Sequence, residues 1–397
     1  MLFGMTISMT GQIILPIKPS DTHEGIDGKD LPHLVLRNPE VPAQGRLLLF
    51  LPGTVGRPAQ YTEFLKTAAN MGMDAIGLSY DNNVAMRDLC TTSTDRSCHE
   101  KARKEVIYGR EGHPQLSVDS LNSIVHRTMR LLLYLANAYP QADWMQYLDE
   151  EGGLDWSRIV VAGHSQGSGH AGILAKDHAV DRCILIAGRD WLALYQEHAE
   201  WMQRTGLTPP DRYYGFIHRR DAQAWGNADE ILEAWALFGM DQFGPLVNVD
   251  TLAAPFRERH MLTTNLDQPP GQEDIDNFFH KAIITDDSVI RDALGRPVYE
   301  AVWQYLLGDD LTTSWQQPIS GALPRIQLYP NPASDWCRIS WPSALQVGDY
   351  RIVDATGRIW QTGSLKPQLD IHTLPAGVYF IQVEIDGQLV VEKLQIR

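Results

Sequence analysis

Cysteine is scarce in this chain, with four residues among 397. So few cysteines exclude a scaffold built on disulfides, and none of the four has the spacing of a metal site. Cys90 and Cys98 lie close together in the polar stretch LCTTSTDRSCHE, which we expect to be an exposed loop. They form either a local disulfide, as an oxidising compartment would allow, or two unpaired surface thiols. Cys183 lies in the apolar run CILIAG and is predicted to be buried.

Positive charge is also in deficit, because 34 lysines and arginines stand against 49 aspartates and glutamates, for a net charge of -15. This charge repels phosphate backbones, and no cluster of basic and aromatic residues offsets it locally. The sequence therefore excludes a nucleic-acid partner. Small or neutral substrates fit the composition better.

Long apolar runs are absent as well. No stretch approaches the roughly 18 uncharged apolar residues that a membrane helix needs, so we expect no integral membrane span. The N-terminal segment, residues 1–24, is fairly apolar but has no lysine or arginine before Lys18. A signal peptide normally opens with positive charge. This segment is therefore either the tail of a signal peptide that starts upstream or a first strand at a sheet edge.

The first three hundred residues alternate short apolar runs with longer helical patterns, which indicates βαβ units and a mostly parallel sheet. The length of the chain favours two domains. The best helix candidate spans residues 117–139, where apolar residues recur at spacings of three and four after a polar opening. Six runs have the character of buried strands: RLLLFLP (46–52), DAIGLSY (74–80), RIVVAGH (158–164), RCILIAG (182–188), RYYGFIH (212–218) and RHMLTTN (259–265).

The pattern changes after residue 308. Residues 309–324 are polar, contain two prolines and follow neither period, so we predict a linker there. Residues 325–397 show short alternating runs separated by turn residues, which predicts an all-β, immunoglobulin-like sandwich of about seven strands. One predicted hairpin joins YRIVD to IWQTG. Another joins VYFIQVEI to QLVVEKLQI through Asp386-Gly387, a pair that favours the type I′ turn because both turn positions need positive φ.

This C-terminal region also resembles a known family. The motifs LYPNPASD (328–335), YRIVDATGR (350–358) and LPAGVYFIQV (374–383), followed by a terminal KLQIR, are similar to the type A C-terminal sorting domain of the type IX secretion system. The resemblance implies that the secretion machinery handles residues 325–397. It further implies export through the periplasm, and then release or anchoring at the cell surface. A carbohydrate-binding or adhesive module is the alternative.

The stretch GHSQGSGHA (163–171) contains the candidate catalytic serine, Ser165. A serine flanked at two-residue distance by glycines is typical of a sharp strand-to-helix turn that holds the hydroxyl exposed. Ser165 follows the predicted strand 158–164 and precedes a run of small residues, which favours a nucleophile. Attack by a serine creates an oxyanion that needs backbone donors. We expect them from Gln166, directly after the serine, and from Thr54 in the loop LPGTVG, unless that loop is only a tight turn.

In folds built on such an elbow, the acid and then the histidine follow the serine along the chain. Of 13 histidines, His164 and His170 lie too close to the elbow, and His260 lies near the start of the last predicted strand, at the wrong edge of the sheet. His280, in the loop DIDNFFHKAII, is predicted to reach the correct edge and to act as the base. The alternative for His280 is a surface histidine.

Asp221 follows the strand RYYGFIH and is our predicted acid, the residue that orients the imidazole. Asp190, directly after CILIAG, is the alternative acid, and would otherwise be a solvated loop carboxylate. Asp211 and Asp250 remain as further candidates. Chain order alone does not choose among the four.

Taken together, the elbow and the oxyanion loop make residues 25–308 similar to the α/β-hydrolase superfamily. The resemblance implies a doubly wound, mostly parallel sheet, no metal or organic cofactor, and ester or amide hydrolysis through an acyl-enzyme. We predict a secreted serine hydrolase that acts on small-molecule or polymer esters as a carboxylesterase or lipase. The alternatives are a serine peptidase or polymer-degrading esterase, and an inactive surface protein that only binds.

Two segments between the later strands, WLALYQEHAEWMQ and GNADEILEAWALFGMDQF, are helical in period and rich in tryptophan. They either cap the site and line a pocket for an acyl or aromatic group, or they pack in the core. The tryptophans concerned are Trp191, Trp201, Trp225 and Trp235.

Overall fold

The computed structural model describes residues 11–110, 112–222, 228–272, 277–308, 327–340, 347–354, 358–385 and 388–397. The chain divides into two compact units, residues 1–312 and 313–397. The predicted linker 309–324 and Trp225 lie outside the described residues. In the first unit, the strands are β1 Ile13–Ile17, β2 His33–Arg37, β3 Leu47–Leu51, β4 Asp74–Gly77, β5 Ile159–His164, β6 Arg182–Ile186, β7 Trp191–Leu192, β8 Glu197–His198, β9 Tyr213–His218, β10 Val247–Asn248 and β11 Met261–Thr264.

The helices of this unit are α1 Pro19–Thr22, α2 Thr62–Asn70, α3 Met86–Cys90, α4 Cys98–Tyr108, α5 Ile124–Ala138, α6 Gln166–Asp177, α7 Glu200–Gln203, α8 Ala228–Ala236, α9 Phe278–Lys281 and α10 Glu300–Leu307. Short 3₁₀ turns lie at Pro58–Tyr61, Pro140–Ala142, Trp144–Tyr147, Trp156–Arg158, Pro210–Arg212, Met240–Phe243 and Phe256–Glu258.

Nine strands form one sheet in the order β1-β2-β4-β3-β5-β6-β9-β11-β10. The pairs β1/β2 and β2/β4 are antiparallel, and the other pairs are parallel. This is the strand order of an α/β hydrolase, and all six predicted strands belong to the sheet. The central strands β3, β4 and β5 are buried along their whole length, because one apolar cluster covers each face of the sheet.

The N-terminal segment contributes an edge strand as far as it is described. β1 pairs antiparallel with β2 from Ile13↔Arg37 to Ile17↔His33. Residues 1–10 lie outside the described residues. Residues 13–17 therefore form the edge strand of one sequence interpretation. The other interpretation, a signal peptide within residues 1–24, stays a prediction.

The predicted helix 117–139 is shorter than its apolar periodicity suggested, since α5 begins only at Ile124. Ser123 caps it, because its hydroxyl oxygen accepts a hydrogen bond from the His126 N–H. Before the cap, the Asp119 carboxylate accepts the Asn122 N–H at 2.9 Å and closes a turn. The polar opening of the segment is thus a capping turn rather than the first helical turns.

The second unit consists of β12 Gln327–Tyr329, β13 Trp336–Ser340, β14 Val347–Asp354, β15 Ile359–Ser364, β16 Gln368–Asp370, β17 Gly377–Ile385 and β18 Gln388–Ile396. They form two antiparallel sheets, β12-β13-β16 and β15-β14-β17-β18. Side chains from both sheets share one apolar core, including Ile339, Ile352 and Ile381. The predicted sandwich and both hairpins are therefore present. The turn residues Asp386-Gly387 lie outside the described residues.

Candidate active site

Ser165 lies at the junction of β5 and α6, with φ 55° and ψ -117°. A residue other than glycine rarely adopts a positive φ, and such backbone strain concentrates at functional turns. The flanking glycines are needed for close approach. A Cβ at Gly163 would lie 2.1 Å from the Gly167 carbonyl oxygen, and a Cβ at Gly167 would lie 1.9 Å from the Leu51 carbonyl oxygen. The spacing of the motif thus follows from how tightly the turn packs against β3.

Asp221 and His280 are brought together although 59 residues separate them. The His280 Nδ1 atom lies 2.7 Å from an Asp221 carboxylate oxygen. Asp221 lies three residues beyond the end of β9, and His280 belongs to α9. Both side chains are buried. Because an ionised carboxylate can only accept, Nδ1 carries the proton and Nε2 keeps its lone pair.

The two predicted oxyanion donors, Thr54 and Gln166, are joined to each other by a hydrogen bond between their side chains. The Thr54 hydroxyl donates to the Gln166 side-chain oxygen at 2.8 Å. Within the part of the chain that the structure describes, neither the Thr54 nor the Gln166 backbone N–H donates to a protein group. Gln166 opens α6, where the first amides have no partner inside the helix. Both amides can therefore serve an anion.

The loop that carries Thr54 is held by Asn82, a residue that no sequence motif distinguishes. Its side-chain amide donates to the carbonyl oxygens of Gly53 at 2.5 Å and Gly56 at 3.1 Å. Its backbone carbonyl accepts the Val55 N–H at 2.9 Å, and Val55 has φ 52°. A single buried amide thus fixes the turn on which Thr54 lies.

A cavity of about 450 Å³ lies beside Ser165. Thr54, Gln166 and His280 line it, whereas Asp221 is not among its lining residues. Trp191 also lines it. Of the other candidate cap tryptophans, Trp201 and Trp235 are fully buried in the apolar core, so they pack rather than line the cavity.

Asp190 also borders the cavity, but its carboxylate is already occupied. It accepts two hydrogen bonds of 2.6 Å from the Arg103 guanidinium and one of 2.8 Å from the Trp201 indole N–H. Burial alone would raise the pKa of Asp190, but the Arg103 charge beside it holds that pKa well below its usual range. Asp190 is therefore a buried ion-pair partner, not the solvated carboxylate of the alternative interpretation.

Arg103 links this ion pair to the elbow. Its remaining terminal nitrogen donates to the Gln166 carbonyl oxygen at 2.8 Å. A Cβ at Gly169 would lie 2.2 Å from the guanidinium carbon, so the glycine makes room for it. In sequence, Arg103 is one of several charged residues in HEKARKE, and no pattern distinguishes it. The interaction spans 63 residues and becomes visible only in the fold.

We expect Asp190→Leu to lower the free energy of unfolding by about 3 to 5 kcal/mol, because it leaves the Arg103 charge buried without its partner. Urea unfolding checks this value. The double variant Arg103→Met/Asp190→Leu should recover most of the loss, since it removes both charges. A double variant as unstable as the two single changes combined would show that the residues do not act as a pair.

Cys90 and Cys98 are joined by a disulfide, so the thiol alternative does not describe this structure. The expected loop lies between them, at residues 91–97, where the residues are exposed or half-buried. Both cysteines themselves are buried, one at the end of α3 and one at the start of α4. The bond connects the two helices and fixes the start of the helix that carries Arg103. Cys183 is buried and unpaired.

Three histidines whose sequence positions argue against a role as the base, His164, His170 and His260, do not contact Asp221 in the described structure. His260 precedes β11 and its Nδ1 lies 2.8 Å from the Tyr213 carbonyl oxygen, at the opposite end of the sheet. His170 is enclosed in α6. His164 is buried directly before Ser165.

Within the described residues, no group of three or more histidine, cysteine, aspartate or glutamate side chains is arranged to hold a metal ion. Of the helices in those residues, none combines the length and the apolar character of a membrane span.

Comparison with known proteins identifies the second unit. Residues 327–397 match the family described as the secretion system C-terminal sorting domain. No curated protein matches the chain as a whole.

Solved structures similar to the chain include three at low identity. A candidate dienelactone hydrolase from Klebsiella pneumoniae is 10% identical, with 64% of this chain and 86% of that chain covered and a TM-score of 0.34. Thermogutta terrifontis esterase 2 phosphorylated by paraoxon is 15% identical, with coverages of 64% and 82% and a TM-score of 0.34. Its propionate-bound form is 14% identical, with coverages of 65% and 84% and a TM-score of 0.32.

Similarities with such low TM-scores do not indicate which reaction this chain performs. The fold is defined instead by the strand order of the sheet. The sorting domain directs the chain to the cell surface or beyond it. Residues 327–397 thus match the secretion system C-terminal sorting domain family, and they follow a domain with the α/β-hydrolase fold in a chain exported by type IX secretion.

Proposed function

We propose that this chain is a serine hydrolase that cleaves carboxylic esters, with Ser165 as nucleophile, His280 as base and Asp221 as acid. The observation that supports it most is the 2.7 Å hydrogen bond between His280 and Asp221, made by a histidine that lines the same cavity as the strained Ser165. A nucleophile, a base and a residue that orients the base are the parts of an acyl-transfer site.

In the proposed first half-reaction, the Ser165 hydroxyl oxygen attacks the ester carbonyl carbon while His280 Nε2 takes the hydroxyl proton. The carbonyl oxygen becomes an oxyanion, which the Thr54 and Gln166 amides stabilise. Removing one such donor elsewhere costs roughly 3 to 4 kcal/mol of barrier. The imidazolium then gives its proton to the leaving alcohol as the ester bond breaks.

In the second half-reaction, His280 takes a proton from water, and the resulting hydroxide attacks the acyl-enzyme. The same two amides hold the second oxyanion. Ser165 recovers its proton from His280 as the carboxylic acid leaves. Asp221 stays ionised throughout, and its role is to hold Nδ1–H and to stabilise the transient imidazolium.

The cavity favours a small ester. Its volume of about 450 Å³ is within the range of pockets that enclose a single small molecule. The alcohol and acyl portions would lie against a mixed lining that includes Met86, Ala187 and Trp191. A serine peptidase or polymer-degrading esterase would need room for an extended chain.

The test sets a chain-length series of p-nitrophenyl esters against peptide p-nitroanilides. We expect hydrolysis of the esters, with kcat/KM highest at the acyl length that fills the cavity, and no cleavage of the anilides. Comparable cleavage of anilides would favour the peptidase alternative. Silence toward all of these substrates would favour a surface protein that only binds.

A further inference from the structure

His164 is the last residue of β5 and directly precedes Ser165. Its ring lines the cavity and also contacts the main chain of the proposed base, His280. Its Nε2 atom lies 3.0 Å from the main-chain carbonyl oxygen of His280. Its Nδ1 atom lies 3.0 Å from the Tyr61 hydroxyl. Both contacts are buried, and the first joins residues 116 apart in sequence.

These contacts allow one assignment of protons. A carbonyl oxygen can only accept, so His164 Nε2 carries the hydrogen and donates it to His280. Nδ1 then has a lone pair and accepts the Tyr61 O–H. The Tyr61 oxygen in turn accepts the Gly53 N–H at 3.3 Å. Each donor and acceptor in this series of hydrogen bonds, from the Gly53 N–H to the His280 carbonyl oxygen, then has a partner.

The chain of hydrogen bonds connects the three parts of the proposed site. Gly53 precedes the oxyanion donor Thr54, His164 precedes the nucleophile, and His280 is the base. The two imidazole rings also contact each other, with centroids 4.7 Å apart. Burial lowers the pKa of His164 well below the usual value, so its ring stays neutral beside a base that becomes positively charged during catalysis.

This bond satisfies a main-chain carbonyl in the short helix α9. The helix α9 has four residues, and the end of a helix leaves its carbonyl groups without helical partners. Among the described residues, the carbonyl oxygen of His280 accepts from His164 and from no backbone amide. Asp221 orients the imidazole, whereas His164 holds the main chain from which the imidazole projects.

We propose that His164 is a positioning residue, which fixes the base His280 relative to Ser165 by donating to the His280 main-chain carbonyl. This inference rests on the proposed function. A shift of about 1 Å in a catalytic group can cost about 100-fold in rate, so the loss of this bond should appear in kcat.

Two amide variants separate the roles of the two ring nitrogens. In His164→Gln, the side-chain amide reaches the place of Nε2 and can still donate to His280. In His164→Asn, the shorter amide reaches only the place of Nδ1. We expect the Asn variant to lose about 100-fold in kcat with little change in KM, and the Gln variant to stay within about fivefold of the parent.

His170→Phe is the matched control, because His170 is a fully buried histidine near Ser165 whose ring nitrogens have no hydrogen-bond partner in the described structure. It should keep the parent kcat within a few-fold. Turnover is expressed per folded molecule. A further variant, Tyr61→Phe, removes only the hydroxyl bound to His164 Nδ1, and we expect a smaller loss in kcat from it.

Proton NMR supplies a readout that needs no turnover. The His280 Nδ1–H held by Asp221 should give a low-field resonance in the parent and in His164→Gln, and this resonance should shift or broaden in His164→Asn. If the parent hydrolyses no substrate but the resonances behave so, the proposed function fails and the positioning role stands. Equal kcat values and unchanged resonances in the Asn, Gln and His170→Phe variants would overturn the positioning role.

Discussion

Ser165→Ala is expected to lower the turnover of p-nitrophenyl esters by about a millionfold, as the removal of the nucleophile does in comparable triads. The substitution deletes only the hydroxyl oxygen that forms the bond to the acyl group. The cavity and the Thr54 and Gln166 amides remain, so substrate binding should persist. The loss should therefore appear in kcat, with KM changed little, in steady-state assays with the best ester of the series.

Ser168→Ala is the control for this variant. Ser168 is buried three residues further along, in the first turn of α6, and its replacement by alanine makes the same chemical change next to the elbow. It should retain turnover within a few-fold of the parent. A Ser165→Ala protein that keeps activity within tenfold of the parent would exclude Ser165 as the nucleophile.

Asp221→Asn is expected to lower kcat by about 10,000-fold while leaving the site geometry nearly intact. The carboxylate now accepts the Nδ1–H of His280 at 2.7 Å. An asparagine amide can instead donate to Nδ1, which moves the ring proton to Nε2. The imidazole would then present a donor where a base is needed, and it could not take the proton of Ser165.

Asp250→Asn is the matched control, since Asp250 is also a loop carboxylate with hydrogen-bond partners, the Thr264 hydroxyl and the Asn265 N–H. It should retain nearly full turnover. Asp190→Asn should likewise cost far less than Asp221→Asn in turnover per folded molecule, because Asp190 is engaged by Arg103. The opposite ranking of Asp221 and Asp190 would transfer the proposed acid role to Asp190.

The sequence predicted the parts of the fold that depend on local pattern. β5 and the turn at Ser165 were predictable because an apolar strand, two glycines at fixed spacing and a run of small residues lie within a few positions of one another. The strand order places the ends of β3, β5, β6 and β9 at one edge, so the residues that follow them could be expected to converge there.

The residues that support the site could not be predicted in the same way. The contacts of Arg103 with Asp190, and of His164 with His280, join positions 87 and 116 residues apart. Nothing in the local sequence of Arg103 or Asn82 distinguishes them from other polar residues. His164 lies too close to Ser165 in sequence to be the base, and that same closeness allows it to hold the base in place.

Labelling with a fluorophosphonate probe, followed by peptide mapping, shows whether Ser165 is an activated nucleophile. The probe reacts covalently with a serine whose hydroxyl is activated by a neighbouring base. We expect one modified residue, Ser165, with labelling lost in Ser165→Ala and strongly slowed in Asp221→Asn. Absence of labelling in the folded parent protein, or attachment of the probe to any other residue, would contradict this expectation.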